Sequence, residues 1–351
     1  MKRNRRRIGA AVCAVAAAVA VSSVLISGGV ATASSTKSWV IGISNGYYGN
    51  GARVQLEAEA KAYAALPSVA VKIKKLIINN AGVSVAAQIA AVDGMIAQHV
   101  NAILLDSNSL TGLNATIAAA HKAGIVVVAV NDQVSSPLAY QVETVGTAFG
   151  AAEAQGFVKE IGGKGNIVVL RGLAGNAVDA AEAAGFNGVF AKHPAIKILN
   201  VTYGQWDDAV AQQDMASLLS RYSNISAVYT EGGMEQGVVR AYLAAHAKFV
   251  PVSGTDENGF ACQLKKYNSQ GLQGVQIGSA LYAYALALKT ALDILGGAHP
   301  AHLIPVSWVV WNTSQAVSHC VPADSPSLFL GVSDPAQGIN LTAQQVEKYM
   351  G

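Results

Sequence analysis

From Trp39 onward the chain repeats one rhythm: a short apolar run rich in β-branched residues, a polar or glycine turn, then an Ala-rich stretch with helical spacing. "WVIGIS" leads into a helix predicted over about 52–65, where Val54, Ala58, Lys61 and Ala62 alternate faces. "VAVKIKKLII" precedes a helix over about 83–98, "NAILLD" precedes "TGLNATIAAAHKAG", and "IVVVAVND" closes the first half. The rhythm pauses near "SSPLAYQVETVGTAFG" and resumes with "NIVVLRG", "IKILNVTYG", "ISAVYTEGG", "FVPVSGTDE" and "LQGVQIG". Continuous apolar strands alternating with helices predict parallel sheet covered on both faces. About ten such strands exceed one ordinary open sheet, so two doubly wound α/β domains are predicted. A closed barrel of eight strand–helix units is the competing architecture.

In open parallel sheets ligands bind beyond the carboxyl ends of the strands, where loops and helix N-termini leave a crevice. Those ends carry Asn45, Tyr47 and Tyr48, then Asp106, Asn131 and Asp132, and in the second half Glu231, Asp256 and Gln276. All are polar or aromatic, and they include no cluster of histidines or cysteines.

Composition changes the picture mainly at the N-terminus. The first 33 residues hold Lys2, Arg3, Arg5, Arg6 and Arg7, then an uncharged Ala/Val-rich stretch ending in Ala31-Thr32-Ala33. This is the layout of a secretory signal peptide cleaved after Ala33; an uncleaved anchor is the other reading, since residues 8–33 could span a bilayer. The whole chain of 351 residues has 24 basic and 21 acidic side chains. Five basic and no acidic residues fall in the first 33, so the remainder has two more acids than bases. The basic balance belongs to the leader, and nothing argues for nucleic acid. Outside the leader only Cys262 and Cys320 remain. In an exported protein the pair is a disulfide candidate, with two buried thiols as the alternative.

Catalytic patterns are weak. The seven histidines are scattered, and His299 and His302 beside Pro300 read as a turn lacking further metal ligands. There is no Gly-x-Ser-x-Gly elbow or phosphate loop, and "EGGMEQG" lacks dinucleotide spacing. Glu231 and Asp256 could form a glycosidase acid/base pair. A DNA-reading helix-turn-helix has no room, because residues 1–35 are leader. No enzyme activity, cofactor or metal is predicted.

Five segments in order carry a resemblance: the Asn/aromatic loop after the first strand, "VVVAVNDQ", "VVLRGLAGNAVDAAEAAGF", "AVYTEGGMEQGVVRA" and "VSGTDENGF". With them the chain resembles the periplasmic sugar-binding proteins of ABC transporters, the ribose-binding-like group of type I periplasmic binding proteins. The resemblance implies two flavodoxin-like lobes joined by three crossings, near 145–147, 276–279 and 307–312. The first lobe would hold 38–145 and about 278–307, the second 146–277 and about 308–351. It further implies an exported monomer that closes on a small sugar or polyol by a hinge and delivers it to a membrane permease.

Carried over residue by residue, Asn45, Tyr47 and Tyr48 fall in the first ligand loop, where aromatic rings would face the C–H surfaces of a sugar. Asn50 either points inward or caps the following helix. Asn131 and Asp132 match the position of a hydroxyl-binding carboxylate and its neighbour, Asp256 matches a second acidic position, and Asp106 and Gln276 stand at further strand ends. Trp206 either stacks on the ligand opposite a Tyr or staples the start of its helix, with Asp207 or Asp208 at that helix's positive end. Glu182 replaces the family's common arginine, with Asp179 as its alternative on the same helix, and Glu231 replaces a common asparagine. These departures put ribose by the usual contacts in doubt and keep neutral sugars and polyols. A non-sugar molecule, a furanone-type signal or a small amine, is the runner-up ligand.

Overall fold

The structure, a computed structural model, describes residues 37–143 and 146–351. The leader at 1–33, its cleavage or retention, and position 145 of the first expected crossing lie outside the described residues. The first half contributes β1 (Trp39–Asn45), β2 (Ile73–Asn80), β3 (Ala102–Asp106), β4 (Val126–Asn131) and β5 (Tyr140–Glu143). The second contributes β6 (Gly165–Arg171), β7 (Ile196–Tyr203), β8 (Ala227–Thr230), β9 (Val252–Thr255) and β10 (Gly274–Ile277). Two late strands follow, β11 (Leu303–Pro305) and β12 (Val310–Trp311).

They form two open six-stranded sheets, ordered β11-β5-β4-β3-β1-β2 and β12-β10-β9-β8-β6-β7, which removes the barrel. Every pairing is parallel except β12 on β10. Each sheet is doubly wound: its first strand lies between the second and third, so the loops leaving neighbouring strands diverge and open a crevice.

Strand alternation explains why both faces are apolar. Ile41, Ile43, Leu104 and Val128 feed one core layer of the first sheet, while Ile103, Leu105, Val127 and Ala129 feed the other. Likewise Val168 and Leu170 pack on one side of the second sheet, and Ile167 and Val169 on the other. A strand with helices on each face must be apolar at every position, which is the continuous pattern seen in the sequence.

The chain passes between lobes after β5, after β10 and between β11 and β12. It then does so a fourth time. Ala316 and Val317 still pack in the second lobe, but Leu328, Phe329, Ile339, Leu341 and Val346 belong to the core of the first. The segment 308–351, expected wholly in the second lobe, is therefore divided, because its last apolar residues cover the Gly51–Ala64 helix. The expected disulfide is formed: Cys262 on the Asn258–Tyr267 helix joins Cys320 just before this fourth passage. Beside it the Asn258 side chain donates to the carbonyls of Val321, Asp324 and Ser325 and accepts from the Val321 N–H.

Candidate functional site

Between the lobes lies a cavity of about 660 Å³, part of it open to solvent. The first lobe lines it with Asn50, Arg53 and Leu56 at the start of a helix, Asn131 at the end of β4, and Phe329 from the tail. The second supplies Phe149, Glu182, Trp206 and the strand-end residues Glu231, Thr255 and Glu257. The crevice therefore opens beyond the carboxyl ends of both sheets, as the winding of the strands requires.

Arg53 occupies the first turn of its helix, where the helix dipole disfavours a cation. Two carboxylates compensate. Asp106 at the end of β3 and Asp132 after β4 both pair with the guanidinium, the latter at 2.7 Å, and all three groups are more than nine-tenths buried. Asp106 and Asp132 were expected to grip ligand hydroxyls; their charge is spent on Arg53, and it is Arg53 that reaches the cavity wall. Asn50 settles both of its alternatives at once. Its Oδ1 accepts from the Arg53 N–H and caps the helix, and the residue also lines the cavity. Asn131 takes a left-handed backbone (φ 65°) that turns the chain out of β4 at the wall.

Four further expected residues are engaged by other protein groups and do not line the cavity. Asn45 donates to Glu57 (3.1 Å) and Asn80 (2.7 Å) and accepts from the Tyr284 hydroxyl. Gln276 donates to the carbonyls of Thr255 and Glu257. Asp256 accepts from the Ser279 N–H and hydroxyl and from the Gly331 N–H, tying two interlobe passages together. Asp179 receives Arg171 through both carboxylate oxygens at 3.1 and 2.6 Å. A polar group buried at a strand end must find a partner, and these found theirs in the protein. Tyr47 and Tyr48 are also outside the wall. Tyr47 stands within electrostatic reach of Arg53 and Asp207, Tyr48 of Glu57 and Lys61, and partial burial raises both phenols above their ordinary range.

Trp206 is in the wall, partnered there by Phe149 and Phe329 and by no tyrosine. Gln205 and Trp206 both have positive φ, 61° and 52°, a costly conformation for large side chains. The indole lies flat on Gly172, where a Cβ would come within 2.1 Å of the ring. Asp207 caps the following helix by accepting from the N–H groups of Ala209 and Val210, next to Trp206 in the cavity wall.

Glu182 sits on the Ala177–Phe190 helix, which packs on the Thr147–Glu160 helix so closely that a Cβ at Gly185 would meet the Thr147 carbonyl at 2.1 Å. Glu231 follows β8, and its Oε2 accepts from the Gly172 N–H at 2.6 Å. Glu182 Oε2 and Glu231 Oε1 are buried with no hydrogen-bond partner among the described residues. Burial, reinforced by neighbouring carboxyls, raises both; Glu231 is pushed up to about 9. Sequence reasoning missed Arg53, Phe149 and Phe329, and it passed over Glu257, which stands in the same strand-end stretch as Asp256. Of the first three only Arg53 left a signal: a cation in a helix's first turn requires acids nearby.

The sequence pattern of the periplasmic binding protein domain matches residues 41–298. The xylitol-binding protein of Mycolicibacterium smegmatis is 29% identical over 254 residues, 70% of this chain and 72% of that protein. An ABC transporter solute binding protein from Thermobispora bispora superimposes with a TM-score of 0.74 at 24% identity, covering 88% of this chain and 94% of that one. The periplasmic component of the arabinose ABC transporter from Shewanella sp. ANA-3, bound to α- and β-L-arabinofuranose, has a TM-score of 0.69 at 25% identity over 80% of this chain and 93% of its own.

Proposed function

The chain belongs to the periplasmic binding protein family, and from that premise we propose that it captures a small neutral sugar or polyol in the interlobe cavity and releases it unaltered to an ABC-type permease. The observation that carries this reading is the makeup of the cavity wall. Trp206, Phe149 and Phe329 offer apolar faces for C–H surfaces, while Arg53, Asn50, Asn131, Glu182 and Glu231 offer hydrogen-bonding groups between them. Such alternation suits a ligand whose own surface alternates C–H and O–H. The xylitol-binding relative and the arabinofuranose-bound neighbour support a polyhydroxylated guest of this size. The leader at 1–33 would deliver the protein outside the cytoplasm, where it acts as a monomer.

A thermal-shift panel of pentitols, hexitols, pentoses, hexoses and small amines tests the reading. A ligand at one hundred times its Kd stabilises the native state by about 2.7 kcal/mol, so one or more polyols or sugars should raise Tm and be recovered chemically unchanged. Stabilisation by amines alone, or turnover of a panel member, would replace the reading.

A further inference from the structure

The second-lobe wall of the cavity holds three acids, Glu182, Glu231 and Glu257, where a ligand-gripping carboxylate would need a counter-charge. Glu182 and Glu231 are each 3% exposed, and each keeps one buried oxygen without a hydrogen-bond partner among the described residues. The charged groups around them are known from every side. Arg171 on β6 is held by Asp179, and its Nε stands 3.6 Å from Glu231 Oε1, beyond hydrogen-bonding distance. Asp179 shares the helix of Glu182, and Glu153 approaches from the adjoining helix. Across the gap, Asp132 faces Glu182 from the first lobe, and Arg53 is already shared by Asp106 and Asp132. Glu257 completes the wall. Acids outnumber guanidiniums around the cavity: Arg171 is shared between Asp179 and, at longer range, Glu231, and Glu182 has no guanidinium within ion-pair distance among the described residues.

We propose that Glu182 and Glu231 meet the ligand as uncharged carboxylic acids that donate hydrogen bonds to its oxygen atoms, which makes the site selective for uncharged ligands over cationic ones. The proposal rests on the reading of the cavity as a sugar or polyol site. A carboxylate only accepts, whereas the protonated acid donates once and still accepts. An O–H donor pointed at a hydroxyl or ring oxygen satisfies both partners without a buried net charge, whose cost in a low-dielectric site would be severe. The upward shifts of both groups agree with this state at neutral pH. Ionisation sends each proton to solvent, removes the donor and sets a charge beside Asp179 and Asp132. The opposite polarity, an ionised pair awaiting an ammonium group, would draw amines instead.

Two measurements decide it. In the first, xylitol binding is followed by calorimetry across pH. Affinity should be level near neutrality and fall by up to about tenfold per pH unit as Glu231 loses its proton above about pH 9. The Glu182→Gln/Glu231→Gln pair cannot ionise and should lose that fall. Affinity that climbs with pH, or an equal fall in the double variant, overturns the proposal. In the second, infrared difference spectra of the ligand-free protein against Glu182→Gln, near neutral pH, should show the carbonyl stretch of a protonated acid. A carboxylate band pair in its place overturns the proposal. If neither xylitol nor any other sugar or polyol binds, the functional reading falls, and the infrared result still decides the state of the acids.

Discussion

Trp206 shows how much of a binding wall is set by residues that never touch the ligand. Its position needs two consecutive left-handed residues and a neighbour without a side chain, Gly172, under the indole. Trp206→Ala should weaken sugar or polyol binding by about 1–3 kcal/mol through lost apolar contact, read by calorimetry. Gly172→Ala should give a loss of the same sign with the indole still present, because the added Cβ displaces the ring; unchanged affinity in both variants would take Trp206 out of the site. Trp206, Glu182, Glu231, Asn50 and Asn131, singled out in the sequence because strand ends and helix starts mark the crevice, line the cavity. Asp106, Asp132 and Asp256, singled out on the same ground, pair within the protein instead of lining the cavity, for a physical reason. A strand-end carboxylate looks alike whether it faces a ligand or a buried donor, and its partners here, Arg53 and Ser279, are remote in sequence.

At the scale of elements, the core strands were readable because both faces of each are buried, so their apolar runs are unbroken. β11 and β12, three and two residues long, are too short to set up a recognisable strand period. The tail was unreadable for a different reason. "SPSLFLGVSDPAQG" has the Ser, Pro and Gly of a surface loop, yet Leu328 and Phe329 are buried against the first lobe while the backbone of Leu328 and Leu330 bonds to the second through Asn258 and Asp256. Gln55, fully buried on the Gly51–Ala64 helix, holds the opposite edge, donating to the Phe329 carbonyl and accepting from its N–H. Gln55→Ala leaves both Phe329 groups unpaired in a dry site and should cost about 1–3 kcal/mol. Urea denaturation measures the loss, and hydrogen exchange should show it concentrated at Phe329 and its neighbours. A uniform loss of protection across both lobes would deny the tail its role as a separate interlobe strap.

At the scale of the whole molecule, the fully buried charged side chains among the described residues of the second lobe are all acids, and this should govern stability as well as binding. Glu153 and Glu235 are 1% and 0% exposed behind the cavity wall. Glu153 accepts from the Tyr229 hydroxyl and Glu235 from the N–H groups of Met234 and Thr255, and neither meets a guanidinium or ammonium group through any of these bonds. Desolvation pushes Glu235 up to about 7 and Glu153 up to about 8, with Glu231 above them at about 9. In the unfolded chain all three return to about 4.3. Between those limits the native state binds more protons than the unfolded one, so stability falls as pH rises. The contribution is complete below the unfolded value and is lost as pH climbs through about 7, 8 and 9 in turn. Each proton held only by the native state contributes a slope of about 1.4 kcal/mol per pH unit. The urea midpoint of the ligand-free protein should therefore be higher near pH 6 than near pH 9, and Glu153→Gln should flatten the decline by removing one titrating group. A midpoint that rises over this interval would mean that these acids are ionised in the folded protein and held by partners, and the uncharged state of the second-lobe wall would fall with it.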